Sequence, residues 1–493
     1  MKSKIEMLFN LTRQSGQKKT MFLLVYTLLM TLGLSALFFV YCGFDAHFFS
    51  GGQLALFIVP CLFLLVLFLI ACNNTKANSP FVFVLVAVPA AVSFGLFLLP
   101  NNVPDESAHI WQAAALFGRS QTGFQVISAF KDGYFPSSYS GYFHAMISDT
   151  DWSDVFLCQR YLSYSSHLYL IPGLVLNLAK SLGFNAFIAL SASRVLAGLF
   201  YCFIGYWIIE CAPSGKTAVM VFLLNPILLQ QEASVSADSI TNIVAIGYIV
   251  LVFRIASDSI YTRKSFVVLF VSSVLLLISK EMFFPLVLLN LIHWKKIKGD
   301  RSYCRFVVLC LSTIAIAGVL FIAFYRGSFM PDSFALMRTP LHCAKVFIKS
   351  IWEMGPFWFQ SYAGLNLGAL SINVWPFCFW LYIVVQSVVL FYNDENNSLV
   401  SLCNTDRFVI TIAVLLNFFL IVMTMRNWTL NVDKREDIIM GIQGRYLIPL
   451  VLPVLLCILR PIKSNSKGHV LFYSAILLCV ILFVDFISII STF

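Results

Sequence analysis

Of 493 residues, 59% are hydrophobic and only 11% charged, with a mean hydropathy of +0.86, far from the mixture a water-soluble fold carries. A soluble protein is excluded. The formal net charge of +10 does not point to nucleic acid, because the cations sit in short loops between apolar runs, where they orient a chain against a membrane.

The chain opens with Lys2, Lys4, Arg13, Lys18 and Lys19, then an apolar run over 21–41. That run is too long for the core of a signal peptide and no small-residue cleavage site follows it, so it is expected to remain as an anchor. Runs over 54–71, 81–99, 304–325 and 470–487 likewise approach the ~20 residues needed to cross hydrocarbon. Alternating the spans and testing the result against Lys and Arg gives about 13 crossings, N-terminus inside and C-terminus outside. Lys76, Lys216, Arg254, Arg263, Lys264, the cluster from Lys295 to Arg305, Arg407, Arg460, Lys463 and Lys467 then fall inside. Three long segments, 101–185, 326–373 and 426–444, fall outside and are poorer in Lys and Arg. Residues 1–80 form a tail and an extra transmembrane hairpin, and 81–493 the core.

Within the first outer segment, 106–119 reads as a short helix, and 167–182 as an apolar stretch lying along the membrane surface. Runs over 265–279 and 283–294 are short for independent spans and flank Lys280 and Glu281, which predicts a helical hairpin just reaching the outer boundary. The thirteen cysteines lie mostly inside apolar runs, as small apolar residues, and show no metal spacing. A Cys158–Cys343 disulfide between outer segments is left open. No internal repeat is visible, which counts against inverted-repeat transporters.

Three features could carry chemistry. In Asn101-Asn102-Val103-Pro104-Asp105-Glu106-Ser107-Ala108-His109, just beyond the third run, Asp105 and Glu106 share a helix face with His109. Ordinary helix-start chemistry also favours Pro and acids there, but needs neither both acids nor the imidazole. A di-metal Glu-x-x-His site would need a second copy on a partner helix, which is missing. In Gly441-Ile442-Gln443-Gly444-Arg445-Tyr446-Leu447-Ile448-Pro449, an arginine enters a span, where it needs an anionic partner or a polar cavity. Its planar fork of donors suits a phosphate, although an arginine snorkelling to water is the plain alternative. Lys280 raises the same question as a point charge, with Glu281 as a simple partner. Arg194, inside an apolar run, also needs an anion, and Asp238 serves equally as a helix cap. Asp149, Asp151 and Asp154 read as solvated loop that leaves a divalent cation open.

Pro104-Asp105-Glu106 with His109, Ser279-Lys280, Gly364 within Tyr362-Ala363-Gly364-Leu365-Asn366-Leu367-Gly368, and Gly441-Ile442-Gln443-Gly444-Arg445-Tyr446 with Pro449 resemble a family of predicted bacterial membrane proteins of unknown function. That family is similar to the GT-C glycosyltransferases, which include protein mannosyltransferases and the aminoarabinose transferases of lipid A. The resemblance covers the chain from about Phe81 onward, and the Gly-x-Gln-Gly-Arg-Tyr signature is its most specific part. It implies an all-α, GT-C-like bundle whose large first outer loop supplies a catalytic base, at Asp105 with Glu106 adjacent. Arg445 and Lys280, with Gln443 and Tyr446, would then hold the phosphate of a polyprenyl-phosphate sugar donor. The two spans before the third depart from the family pattern.

The expectation is an inverting transferase in the bacterial inner membrane, moving one sugar from a polyprenyl-phosphate carrier to a cell-envelope glycan such as an O-antigen, or to a lipid, on the outer face. The partners implied are that donor, the acceptor and the bilayer, with no nucleic acid, no metal ligands and no cofactor specified. Two rivals remain: a transporter or flippase of a lipid-linked or anionic substrate, and a polysaccharide polymerase or ligase using a diphosphate-linked donor.

Overall fold

The computed structural model describes residues 2–43, 78–117, 135–148, 165–257, 262–292, 300–325, 331–391, 402–459 and 469–493. Its helices run in the order α1 (Lys2–Gly43), α2 (Ser79–Phe97), α3 (Glu106–Ala114), α4 (Tyr139–Ile147), α5 (Leu170–Ser181), α6 (Ala186–Cys211), α7 (Lys216–Leu223), α8 (Pro226–Glu232), α9 (Ala237–Ser257) and α10 (Arg263–Ser279). A 3-10 segment (Glu281–Leu291) follows, then α11 (Asp300–Tyr325), α12 (Pro331–Met337), α13 (Pro340–Tyr362), α14 (Pro376–Val389), α15 (Asn404–Thr424), α16 (Arg426–Val432), α17 (Ile448–Ile458) and α18 (His469–Ile490). Among the described residues the only strands are β1 (Asn366–Leu367) and β2 (Ile372–Asn373), antiparallel with Asn366 opposite Asn373.

Among the described residues six stretches are long and apolar enough to cross a membrane: Thr20–Cys42, Ser79–Phe97, Ala186–Cys211, Ala237–Ser257, Asn404–Val432 and Val470–Ile490. Four shorter apolar helices accompany them. This is an all-α, multi-pass membrane protein. The expected span over 54–71 and Cys158 lie outside the described residues, which hold these six long and four shorter apolar helices toward the expected 13 or so crossings. The apolar stretch after Lys216 is divided into α7 and α8 by Asn225-Pro226, since proline withholds one donor and crowds the preceding turn.

The centre of the bundle is α2, buried along its whole length because it is apolar on every side. It packs chiefly against α6, whose Gly198 faces Ala91 and whose Gly205 faces the Phe83 ring, small residues that let two backbones approach. The predicted hairpin is present, since α10 packs against the 3-10 segment. Its second arm, however, is 3-10 rather than α-helical and contains Pro285, so Lys280 stands at the junction in an extended conformation.

The surface stretch expected over 167–182 becomes a 3-10 turn (Ser166–Tyr169) and α5. One side of α5 exposes Leu170, Leu174 and Leu178, continued by Leu182, while Pro172, Gly173 and Leu176 are buried. That division suits a helix lying in the interface. In the segment 326–373 α13 likewise exposes Leu341, Ile348, Trp352 and Phe359 and buries Cys343, Val346 and Ser350. The predicted helix over 106–119 is α3, extended by a 3-10 turn through Phe117.

Gly173 joins α5 to α3, because a Cβ there would lie 2.7 Å from the Ala113 carbonyl and 2.8 Å from the Leu116 side chain. Gly173→Ala is therefore expected to lower the thermal unfolding midpoint in detergent, by about 1–3 kcal/mol of overpacking. An unchanged midpoint would show that α3 and α5 separate readily.

Candidate functional site

Two ion-pair groups stand near the ends of α2, α6, α9 and α10, and they divide the predicted residues between them. The first is fully buried. Arg194 of α6 places Nε 3.1 Å from Oε1 of Glu106, both side chains inaccessible, and its Nη1 donates to the Leu98 carbonyl at 2.6 Å, one of the orphan acceptors at the end of α2. Glu106 also accepts from the amides of Asn101 (2.9 Å) and Val235 (3.3 Å). Burial pushes the Glu106 carboxyl up, while Arg194 and these two amides pull it down. Arg194 has thus found the anion it needs, and Glu106 is committed to fixing the turn between α2 and α3.

The second group contains Asp105, Asp238, Lys280 and Arg445. Asp105 precedes α3 with φ 62°, a left-handed conformation that few residues other than glycine adopt and that Asp and Asn tolerate best. That geometry turns its side chain away from Glu106 into a half-exposed position (48% accessible), with Oδ2 3.8 Å from Nη2 of Arg445. Asp238, at the start of α9, accepts from Lys280 Nζ at 2.8 Å and lies 3.6 Å from Arg445 Nε. Both cations lie 5.1 Å from the centre of the Tyr446 ring, close enough for cation–π attraction, and the Tyr446 hydroxyl is 3.3 Å from Arg445 Nη2.

Residues not singled out in the sequence complete the setting. Gln231 of α8 accepts from Arg445 Nη1 at 2.9 Å and donates to Ser236 at 2.6 Å. Its neighbour Gln230 holds Gly368 by both backbone groups, accepting from its N–H at 2.7 Å and donating to its carbonyl at 3.1 Å. Their signal was present as Gln230-Gln231-Glu232 beside Asn225-Pro226 inside an apolar run, where polar residues are expensive. The helix break that presents them is satisfied locally. The Tyr201 hydroxyl donates to the Leu223 carbonyl, and Asn225 accepts from Ile227 N–H while donating to the Tyr362 carbonyl.

Arg445 is delivered by a close backbone contact. Gly444 N–H donates to Ser361 Oγ at 2.8 Å, and a Cβ on Gly444 would meet the Tyr362 nitrogen at 1.9 Å, so only glycine fits. The preceding chain is tied down by Arg426, which donates to the Glu436 carbonyl, and by Ser350, which accepts from Ile439 N–H. Pro104, Gln230, Gln231, Gln443, Gly444 and Arg445 line a narrow cleft. The Gln443 side-chain oxygen is enclosed there and accepts no hydrogen bond among the described residues.

His109 lies beside this second group, within electrostatic reach of Asp105, Asp238, Lys280 and Arg445. It is buried, its Nδ1 lies 2.6 Å from the Tyr169 hydroxyl, and burial holds the imidazole down, to about 4. It joins α3 to the turn before α5. Among the described residues no three His, Cys, Asp or Glu side chains converge where a metal ion could sit, and Asp149, Asp151 and Asp154 lie outside those residues.

Residues 125–454 match the model of a predicted membrane protein family, DUF2142. The chain belongs to this family. No curated protein and no solved structure matches. The matched region holds Arg194, Asp238, Lys280, Gln443, Arg445 and Tyr446 and begins after His109, so the acidic turn precedes it.

Two outcomes follow. Glu106→Gln should deplete the folded protein from membranes, because an unpaired buried Arg194 costs roughly 3–5 kcal/mol. Asp105→Asn should accumulate normally, and equal losses for both would refute this division of the acids. Neutral His109 favours the fold above pH 6.5. As pH falls from there toward about 4 the unfolded chain takes up a proton that the folded one refuses. Stability in detergent should decline over that window, by roughly 3 kcal/mol at most, and His109→Gln should flatten the decline.

Proposed function

We propose that this protein is an inverting glycosyltransferase of the bacterial inner membrane, which moves one sugar from a polyprenyl-phosphate carrier to a cell-envelope glycan, an O-antigen or a comparable polysaccharide, or to a lipid, on the outer face. A GT-C-like bundle of about 13 crossings, N-terminus inside and C-terminus outside, is part of the same reading. The observation that carries it is the juxtaposition of a half-exposed carboxylate, Asp105, with buried Arg445 at 3.8 Å, beside a second cation, Lys280, held through the shared Asp238.

The chemistry needs these types of group. Sugars activated inside the cell reach the outer face on a lipid phosphate, so the acceptor hydroxyl requires a base and the departing phosphate requires fixed positive charge. Asp105 is the base, open to the outer solvent through which its proton leaves. Arg445 offers a planar fork and Lys280 a point charge to the phosphate, both steadied by Tyr446. The enclosed oxygen of Gln443 accepts from a sugar hydroxyl.

A second reading, a transporter or flippase of a lipid-linked anion, is favoured by different residues. Glu232 and Asp485 are fully enclosed, Asp485 without a hydrogen bond among the described residues and Glu232 with only the neutral side chains of Ser239 and Asn242 beside it. Glu232 ends α8 and so sets an ionisable group at the broken helix α7–α8, a pattern transport paths use.

Sealed proteoliposomes supplied with a polyprenyl-phosphate sugar and an acceptor glycan separate the two. Transfer should fall by about 10²–10⁴-fold for Asp105→Asn, with the protein still folded, and comparably for Arg445→Gln. Full transfer by Asp105→Asn would remove the base assignment, and lipid-phosphate translocation without sugar transfer would establish the second reading.

A further inference from the structure

We propose that Arg445 is shared in time between base and leaving group, pairing with the Asp105 carboxylate at rest and with the phosphate as it departs, so that one guanidinium couples proton uptake to phosphate charge. The inference rests on the transferase reading above.

The nitrogens of Arg445 are unequally held. Nη1 donates to Gln231 at 2.9 Å and Nε faces Asp238 at 3.6 Å. Those two partners are themselves joined through Ser236, whose hydroxyl accepts from Gln231 Nε2 at 2.6 Å and from the Asp238 amide at 3.1 Å. Two of the three nitrogens are therefore tied into one set of contacts on the α8–α9 turn. Nη2 has instead Asp105 at 3.8 Å and the Tyr446 hydroxyl at 3.3 Å. A spacing of 3.8 Å is beyond hydrogen-bond length, so Asp105 attracts Nη2 without locking it. The left-handed backbone of Asp105 holds the carboxylate at that spacing, and residues kept in such conformations gather at working sites.

The charges balance through the step. At rest Lys280 and Arg445 carry +2 and Asp105 and Asp238 carry −2, and a bound phosphodiester adds −1. The acceptor oxygen bonds to the anomeric carbon, whose bond to the phosphate oxygen breaks with the electron pair going to phosphate, now −2. The acceptor proton goes to Asp105, now neutral. Total charge is unchanged, and one negative charge has moved from Asp105 to the phosphate while the cation beside both stays in place. A fixed positive charge serving both ends of a charge shift needs no rearrangement at the moment of reaction.

The consequence has an unusual sign. At rest Asp105 competes with the ligand for Nη2, so abolishing its charge should strengthen phosphodiester binding while abolishing transfer. Simple repulsion between Asp105 and the ligand would also strengthen binding, but would do so whether or not Arg445 is present.

The test uses the full chain in nanodiscs titrated with a farnesyl phosphodiester, singly charged across the working range, in a double-mutant cycle. Asparagine adopts the left-handed conformation readily, so Asp105→Asn keeps the turn. It should bind the probe about three- to tenfold more tightly than the unsubstituted chain, and by less than about 1.5-fold in an Arg445→Gln background, the scale of a partly exposed ion pair. If Arg445→Gln fails to fold, Arg445→Lys replaces it, because a lysine lacks the second donor of the fork and should also suppress the gain. Equal gains in both backgrounds, or none in either, overturn the coupling while leaving the phosphate site standing. No binding of the diester by any form, the unsubstituted chain included, overturns the transferase reading as well.

Discussion

A carboxylate and a guanidinium without access to water, Glu106 and Arg194, hold one end of this bundle in register. Moving two ions out of water costs several kcal/mol each, and their attraction offsets this only when the remaining lone pairs and donors are used. Here the pair is joined to the Leu98 carbonyl and to the amides of Asn101 and Val235, so four chain segments meet on one interaction. The turn between α2 and α3 is consequently rigid enough to keep Asp105 in a left-handed conformation, which a loosely held turn would relax. A neighbouring pair of acids is thus split into one that anchors and one that faces outward, and the anchor makes the outward placement affordable.

The same economy governs the irregular backbone around the cluster. Every unsatisfied amide or carbonyl within a bilayer is expensive, so helices break there only where side chains or protein backbone take over the lost bonds. The break between α7 and α8 is served by Tyr201 and Asn225, and the chain entering α17 by Ser361. The result is a set of short elements whose ends, rather than whose faces, bring Gln231, Asp238, Lys280 and Arg445 together. Helix ends are where side chains can converge without a groove being opened along a whole span.

Much of this was legible in the residues. Long apolar runs marked α1, α2, α11 and α18, the Pro-Asp-Glu turn and the Gly-x-Gln-Gly-Arg-Tyr segment marked both sides of the cluster, and Arg194 was known to need an anion. What could not be read was which anion. Glu106 and Arg194 are far apart in the chain, and Asp105 offered the same chemistry one position away, so only the backbone twist at Asp105 separates their roles. Gln230 and Gln231 escaped notice because two amides in an apolar run resemble ordinary interhelical contacts. The 3-10 form of the arm after Lys280 was equally hidden, since Pro285 signals a disturbance without saying which helix type results.

Gln230 does for Gly368 what a neighbouring strand would do, occupying its N–H and its carbonyl at once. The turn joining β1 and β2 is in this way spliced onto α8, and it also touches the chain beside the acidic turn, where a Cβ on Gly368 would lie 3.2 Å from the Asn102 carbonyl. Such a turn cannot swing open as an independent flap without breaking two buried hydrogen bonds. The approach to the cleft that stays available is the one past half-exposed Asp105, so the mouth of the cleft is set by a charged side chain while its far wall is fixed.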